Sequence, residues 1–183
     1  MSTYNPVTEE VLNALREALG AENVKIDEET LDRYKTDEET DPRYHHPPEV
    51  VVLPGSTEEV AAVMKIANKY LVPVTPRSAG TSVSCGAVPV HGGIVLLLER
   101  MDKIIEMNTE AMYMVVEAGA RTIEIQKMAN DAGFLYAGDP CSAESCQIGG
   151  NLATNAGGNK AVRYGVTRNQ VYCLEMVTPT GEI

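Results

Sequence analysis

Positive charge and long apolar runs are both scarce in this sequence of 183 residues. Lys and Arg number 15 against 26 Asp and Glu, so the formal net charge is -11. Because binding to nucleic-acid phosphates needs clustered cations, this balance argues against a nucleic-acid partner. The apolar runs of the sequence, such as Ile94 to Leu98, are all far shorter than the roughly 20 residues that cross a bilayer. We therefore expect no transmembrane segment.

Secretion signals and metal-binding spacings are absent as well. The N-terminus shows no basic segment followed by an apolar stretch, so we expect no signal peptide and predict a cytoplasmic protein. Without an oxidising compartment, the four cysteines do not predict a disulfide framework. Cys141 and Cys146 have no His or further Cys at zinc or cluster spacing. The sequence therefore predicts no metal site.

Most of the excess acid lies in the first third of the chain, and residues 1–48 are predicted to form an acidic helical segment. Asn5-Pro6 is typical of an N-cap followed by Pro at the first helical position, and Gly20 ends that helix. A second short helix is expected near residues 28–34. We interpret the acidic surface as a solvated face rather than a docking site for a basic partner.

A βαβ unit follows the acidic segment. Val50–Leu53 is a β-branched run bounded by prolines and predicts a strand. Ser56 is the predicted N-cap of the next helix, and Glu59 holds the reciprocal position of a capping box. Residues 72–75 predict the second strand. Strand, helix and strand within so few residues indicate parallel pairing with a right-handed crossover.

The rest of the chain adds strands and one further helix. Strands are predicted at Ile94–Glu99, at residues 104–107 and 112–117, and finally at Val171–Thr178. Thr122 is the predicted N-cap of a helix that ends before Gly133. Together these elements predict an α+β fold.

The last residues of the sequence contain a turn signal. Pro179-Thr180-Gly181 is typical of a turn that introduces a returning strand, yet the sequence stops at Ile183. A domain that ended there would leave a sheet edge unpaired. We therefore expect this chain to be part of a longer protein.

Two long stretches are rich in small residues. The first loop, residues 76–87, combines Gly, Ser, Thr and Ala with one cation, Arg77. Such a backbone can approach a ligand closely, and its N–H groups can form a nest for an anion such as a diphosphate, with Arg77 as a candidate partner. A merely flexible connection is an equally good interpretation of this loop alone.

The second loop, residues 139–158, repeats this composition over twenty residues. Long loops of this kind are uncommon unless they bind something or are disordered, and the interleaved Ile148 and Leu152 argue against disorder. Neither loop has the Gly-x-Gly-x-x-Gly of a dinucleotide fold or the Gly-Lys-Ser/Thr of a P-loop. The residues alone thus indicate two phosphate-compatible loops in an α+β domain.

Two motifs resemble a known family. Val51 to Val60 followed by Pro76 to Gly86 resembles the opening of the FAD-binding domain of the vanillyl-alcohol-oxidase type. Ile148 to Gly158, continuing into Arg163 to Arg168, is similar to the branch with D-lactate dehydrogenases and the glycolate oxidase flavin subunit. The resemblance runs from about Glu49 to the end of the chain.

The resemblance implies a fold of two α/β subdomains with FAD between them. The first is a small subdomain that contains the βαβ unit, and the second is a mixed sheet with helices, incomplete at its C-terminal end. Residues 49–183 would form this domain. By position, the resemblance assigns the cofactor to the following residues: Pro76, Arg77, Ser78, Ala79, Gly80, Thr81, Ser82, Gly86, Pro140, Ser142, Ser145, Gly149, Gly150, Asn151, Thr154, Gly157 and Gly158.

The sequence departs from the family at the first loop. Some members bind FAD covalently through a His just after the glycines, and Thr81 stands at that position. Thr cannot form this bond, so the resemblance implies non-covalent FAD. Ser78 and Ala79 replace glycines that many relatives have, and their side chains narrow the room for phosphate.

The resemblance implies that this chain is the FAD-binding part of a flavin-dependent 2-hydroxyacid dehydrogenase, whose substrate would be D-lactate or glycolate. Members carry a further substrate-binding domain, which this chain lacks, so no catalytic residue is assigned and the chain alone is expected to be inactive. The electron acceptor would be an electron-transfer flavoprotein, an iron–sulfur partner or a quinone. A non-catalytic nucleotide-binding or docking module, and a fragment that binds no flavin alone, are the alternatives.

Overall fold

The computed structural model describes residues 4–183, which form two compact units. The first unit contains the residues up to Arg100 together with Glu175–Ile183, and the second contains Met101–Leu174. Each unit has its own sheet and its own helices. The predicted α+β fold class is therefore confirmed.

The first unit is built on a four-stranded sheet. Its strands are β1 (Val24–Lys25), β2 (Val50–Val52), β3 (Val74–Arg77) and β4 (Ile94–Leu97). The spatial order is β1-β2-β4-β3, with β1 antiparallel to β2. Both β2 and β3 are parallel to β4, which lies between them. The predicted parallel βαβ unit is present, but its two strands are neighbours of β4 rather than of each other.

Three α-helices belong to this unit: α1 (Glu9–Leu19), α2 (Glu28–Arg33) and α3 (Thr57–Tyr70). Single 3₁₀ turns occur at Ala21–Asn23 and Pro42–Tyr44. The expected start of α1 at Asn5-Pro6 is wrong, because Thr8 is the N-cap and its hydroxyl accepts a hydrogen bond from the Val11 N–H. The N–H groups in the first turn of a helix have no backbone acceptor, and a side-chain oxygen three residues earlier in the chain supplies one.

One of the two hydrogen bonds predicted for the start of α3 is present, and the other is not. The Ser56 hydroxyl accepts from the Glu59 N–H at 3.3 Å, which confirms the N-cap. The Glu59 carboxylate does not return to Ser56. It accepts instead from the Gly55 N–H at 2.7 Å, and the Arg100 guanidinium lies 3.5 Å away. The Glu59 carboxylate therefore binds the N–H of the residue before the N-cap, whereas a capping box would have it bind the N–H of the N-cap itself.

The core of the first unit lies between the sheet and two helices. α1 and α3 pack against one face of the sheet. The smaller cluster on the other face contains Tyr34, Val51, Val95 and Leu97. The fully buried side chains of the larger cluster include Val11, Leu15, Val50, Val52, Val63 and Ile94.

The second unit combines a hairpin with short helices. β5 (Ile104–Asn108) and β6 (Tyr113–Val116), both predicted as strands, pair antiparallel. The helices are α4 (Thr122–Asp131), α5 (Ile148–Thr154) and α6 (Ala161–Tyr164), and a 3₁₀ turn spans Thr167–Gln170. Ala120, Ile125 and Ile148 form the small buried core.

Two predictions for the C-terminal part of the chain are wrong. Thr122 is not an N-cap, because it is fully buried in the first turn of α4 and its hydroxyl contacts side chains of the second loop. No strand occurs within residues 171–178, where no described strand lies alongside to pair with the backbone. Tyr172, Leu174 and Met176 are exposed there. A strand pattern without a partner strand forms no ladder.

The longest helix of the described residues, α3, has 14 residues. Within residues 4–183, no helix combines the length and the apolar character that crossing a bilayer requires.

Candidate functional site

The first loop begins where β3 ends. Arg77 is the last residue of β3, and the chain returns to β4 at Ile94 after passing through the loop. Ligands of parallel sheets commonly bind beyond the carboxyl ends of the strands, which is where this loop lies. The fold therefore places the predicted residues Pro76–Ser82 and Gly86 together, in one loop beyond the carboxyl end of β3, where a ligand could bind.

The backbone of the first loop has unused donors. Within the described residues 4–183, the N–H groups of residues 78–82 donate no hydrogen bond to the protein. Gly80 has φ = +73°, a conformation that turns successive N–H groups toward a common side. Five consecutive free donors around a left-handed glycine are suited to binding an anion.

Arg77 is tied to backbone rather than free. Its side chain is buried, and its Nη1 donates to the Thr36 carbonyl at 2.6 Å and to the Ala87 carbonyl at 3.4 Å. The guanidinium also lies 5.3 Å from the centre of the Tyr34 ring. Burial lowers the pKa of Arg77 from its ordinary value, because desolvation disfavours the cation. The loop's one cation is thus committed to contacts within the protein.

The second loop contains a helix that the sequence did not indicate. α5 covers Ile148–Thr154, and its first N–H groups are already used: Ile148 donates to the Ala120 carbonyl and Gly149 to the Ala118 carbonyl. These two hydrogen bonds attach the start of α5 to the segment before α4. The Thr154 hydroxyl, in turn, donates to the Gly150 carbonyl at 3.0 Å.

Asn151 is part of a buried polar cluster. Its Nδ2 donates to the Thr122 hydroxyl at 2.7 Å, and the Cys146 thiol lies 3.2 Å from the same oxygen. All three side chains are buried. The predicted cofactor residue Asn151 therefore uses its amide to join α5 to α4.

Two glycines of the second loop, Gly157 and Gly158, lie close to other atoms of the protein. A Cβ built on Gly158 would overlap the carbonyl of Asp139, so the two ends of the loop are in backbone contact there. A Cβ on Gly157 would be 3.2 Å from a methyl of Val166. Gly158 is required because of this close approach within the protein.

An open cavity of about 440 Å³ lies beside the start of the second loop. Three of the predicted residues, Pro140, Ser142 and Ser145, contribute to its wall. The other lining residues are Ile123, Gln126, Asp139, Cys141, Ala143, Glu144 and Asn159.

The cavity wall is polar and carries no cation. Asp139 and Glu144 supply carboxylates, and no Lys or Arg is among the lining residues, although Lys160 is 3.5 Å from Asp139. Such a wall suits a neutral hydrogen-bonding group better than a phosphate. Gln126 and Asn159 also line the cavity, and the sequence does not indicate them, because each is an ordinary polar residue outside any recognisable motif.

Comparison with known proteins identifies the family. The profile of a family described as an FAD binding domain matches residues 48–183. The chain belongs to this family. The predicted resemblance to FAD-binding domains of the vanillyl-alcohol-oxidase type is thereby confirmed, and so is FAD as the cofactor.

Several curated relatives share sequence with nearly the whole chain. It is 33% identical to the glycolate oxidase subunit GlcD of Bacillus subtilis (strain 168) over 97% of its length. It is 38% identical to a D-lactate dehydrogenase of Anaerostipes hadrus over 98%. A D-2-hydroxyglutarate dehydrogenase of Xanthomonas citri pv. viticola is also 38% identical, over 97%. The chain spans 37% of the length of each of these relatives.

Solved structures agree on the fold. An alkyldihydroxyacetonephosphate synthase aligns with a TM-score of 0.87 at 24% identity, covering 99% of this chain and 35% of that protein. A p-cresol methylhydroxylase with bound substrate aligns with a TM-score of 0.69 at 26% identity, covering 81% of this chain and 29% of that protein. The FAD-binding domain thus has the same architecture in proteins of different names.

Proposed function

We propose that this chain is the FAD-binding part of a flavin-dependent 2-hydroxyacid dehydrogenase. The observation that carries the proposal is the row of free N–H groups at residues 78–82, which is suited to an anion as large as a diphosphate. The names of the relatives supply the class of reaction. They are glycolate, D-lactate and D-2-hydroxyglutarate enzymes.

We assign the two loops to different parts of FAD. The diphosphate is held by the first loop, at residues 78–82 and Gly86, because consecutive free donors lie there. An uncharged part of the cofactor is held at the cavity of the second loop. Its wall has no cation for phosphate and carries the polar side chains of Ser142, Ser145 and Gln126. Of these, Ser145 already donates to the Ser142 carbonyl and Gln126 to the Gly138 carbonyl.

In the whole protein the chain would bind and orient the cofactor. When bound, FAD supplies a flavin that can accept hydride from the alcohol carbon of a 2-hydroxyacid. The residues that hold the acid and take its hydroxyl proton would come from outside this chain, so the isolated chain should not turn over substrate. D-lactate, glycolate and D-2-hydroxyglutarate are the candidate substrates.

The same loop leads us to propose dissociable FAD. Thr81 occupies the position at which covalent members carry His, and its hydroxyl is not a nucleophile that attaches flavin. Acid precipitation of the protein loaded with FAD should give a colourless pellet and a yellow supernatant. A yellow pellet would show a covalent bond and contradict this part of the proposal.

The deciding experiment is a flavin-binding titration of the purified chain. We expect saturable quenching of FAD fluorescence, competition by ADP, and binding of riboflavin at least about tenfold weaker, because riboflavin lacks the diphosphate. Equal affinity for riboflavin and FAD would contradict the role of the first loop. Absence of saturable FAD binding would contradict the proposal for this chain.

The substrate is tested in the full-length protein that contains this sequence. D-lactate, glycolate and D-2-hydroxyglutarate are added separately to the anaerobic flavoprotein, with L-lactate as the stereochemical control. Bleaching of the oxidised flavin absorbance by one of the first three supports the proposed class. Bleaching by none of them contradicts it.

A further inference from the structure

The first loop lies on a buried guanidinium. Only 8% of Arg77 is exposed, and a Cβ built on Gly80 would overlap its guanidinium. The loop backbone at Gly80 therefore passes directly over the Arg77 side chain. Its Nη1 reaches the Ala87 carbonyl at the far end of the same loop, so one side chain contacts both the middle and the end.

The same guanidinium also contacts a segment from the acidic region, Tyr34–Glu39. Nη1 donates to the Thr36 carbonyl at 2.6 Å, and the plane lies over the Tyr34 ring. The same segment touches the loop directly, because the Glu38 N–H donates to the Ser82 carbonyl at 3.0 Å. Arg77 thus joins the Tyr34–Glu39 segment to the first loop.

The guanidinium has neither an ion-pair partner nor a full set of acceptors. Within the described residues, no carboxylate lies within 4 Å of Arg77, and its buried Nε has no hydrogen-bond partner. A cation is usually buried only with a compensating carboxylate. The carboxylates of Asp37 and Glu99 favour the charged form of Arg77 from beyond ion-pair distance. The direct contacts of the guanidinium are therefore those to the backbone carbonyls and to the Tyr34 ring.

We propose that Arg77 is a positioning residue, which fixes the first loop in its FAD-binding conformation by joining it to the Tyr34–Glu39 segment, and does not itself contact the diphosphate. The proposal rests on the FAD binding proposed above. It replaces the direct contact with the diphosphate that the sequence suggested for Arg77. The phosphate oxygens would be bound by the N–H groups of residues 78–82.

Geometry predicts that Lys cannot replace Arg77. The planar guanidinium donates to two carbonyls on different segments while stacking on an aromatic ring. The Lys ammonium is a compact charge without a stacking plane. A direct electrostatic contact with phosphate would tolerate Lys, whereas the positioning role would not.

The test compares Arg77→Lys and Arg77→Met with Arg33→Met. Arg33 is a matched control, because its guanidinium also lies over the Tyr34 ring, at 5.6 Å, while the residue is exposed and, within residues 4–183, makes no hydrogen bond or ion pair with the loop. We expect both Arg77 variants to weaken FAD binding by at least about tenfold and the control by less than about twofold. The dependence of FAD affinity on salt should be the same in Arg77→Met as in the unmodified protein, because no ion pair with phosphate is lost.

A second readout needs no FAD. Amide hydrogen exchange by NMR reports the Glu38 N–H, which is bonded to Ser82, and the Val88 N–H, which is bonded to Cys85. Both should exchange faster in Arg77→Lys, while amides of α3 and β4 keep their protection. Retained protection in α3 and β4 shows that the variant is folded.

Three results would overturn the proposal. One is near-normal FAD affinity in Arg77→Lys combined with a large loss and a flatter salt dependence in Arg77→Met, which is the behaviour of a direct phosphate contact. Another is unchanged FAD affinity in Arg77→Met. The third is unchanged exchange at Glu38 and Val88, which would exclude the positioning role even if the unmodified chain bound no FAD.

Discussion

The two glycine-rich loops have similar compositions, but different interactions hold their backbones in place. The first loop leaves the N–H groups of residues 78–82 free and relies on the buried Arg77 side chain for its shape. In the second loop several N–H groups donate within the protein, among them those of Cys146, Ile148 and Gly149, and Gly158 is packed against Asp139. Gly, Ser and Asn therefore indicate close backbone approach, but not whether a ligand or the protein itself approaches.

Because of this difference, we expect substitutions in one loop to affect the stability of the fold and substitutions in the other to affect FAD binding. Substitutions in the second loop should mainly change the free energy of unfolding, because its small residues are packed against protein atoms. Substitutions in the first loop should mainly change FAD affinity, because its free donors face no protein acceptor.

The largest effect is expected for Gly158→Ala compared with Gly86→Ala. The new methyl at residue 158 would overlap the Asp139 carbonyl, whereas at residue 86 the nearest atom, the Ser82 hydroxyl, is 3.5 Å away. We expect Gly158→Ala to lower the free energy of unfolding by about 3 kcal/mol or more. Gly86→Ala should change it by less than about 0.5 kcal/mol. Urea denaturation followed by circular dichroism measures both.

The neighbouring Gly157 gives a control for the same loop. Its Cβ would be 3.2 Å from a Val166 methyl, a contact that a small side-chain shift relieves, so Gly157→Ala should be much milder than Gly158→Ala. Equal stability of the variants at 86 and 158 would show that the close approach to Asp139 does not limit residue 158.

A smaller effect is expected for the buried polar cluster of the second unit. Thr122→Val removes the hydroxyl that accepts from Asn151 and leaves a buried amide donor without a partner. We expect a loss of about 1 to 3 kcal/mol in the free energy of unfolding. Thr122→Ser keeps the hydroxyl and is the matched control. Val keeps the γ-methyl of Thr and Ser loses it, yet the Val variant should lose more stability than the Ser variant, because only the Val variant lacks the hydroxyl. A Val variant that lost no more than the Ser variant would mean that the hydrogen bond from Asn151 contributes nothing measurable.

The sequence predicted those elements whose signals are local. The N-cap at Ser56, the end of α1 at Gly20, the strands around Val50 and Ile94 and the β5–β6 hairpin are all present. Each depends on residues within a few positions of one another, which is the range over which capping and periodicity act.

The features that the sequence did not predict depend on distant partners. α5 begins with Ile148-Gly149-Gly150, a poor helix-forming sequence, and is attached through the carbonyls of Ala118 and Ala120. The segment 171–178 has a strand-like pattern but no partner strand in the described chain. In the candidate site, composition indicated the open donors of the first loop. The burial of Arg77 could not be predicted, because Tyr34 and Thr36 are about forty residues away in sequence.

The smallest effect concerns pH and again separates the two units. Asp27 caps α2 in the first unit, and its carboxylate accepts from the Thr30 N–H at 2.9 Å. Hydrogen bonds from Thr30 lower the pKa of Asp27 below its ordinary value of 3.8. A carboxyl whose pKa is lowered on folding contributes stability above its ordinary pKa, and this stability is lost as the pH falls through the lowered value. α5 in the second unit has no side-chain cap, so no comparable titration is expected there.

Thermal unfolding of the unmodified chain and of Asp27→Asn between pH 6 and pH 3 tests this. Asn keeps a side-chain acceptor for the Thr30 N–H but does not titrate. The melting temperatures of the two proteins should therefore differ most at pH 6, and the difference should shrink as Asp27 becomes protonated. A difference that stays constant down to pH 3 would mean that the Asp27 charge contributes nothing to the cap. The first unit would then owe its acid sensitivity to other carboxylates of its N-terminal segment.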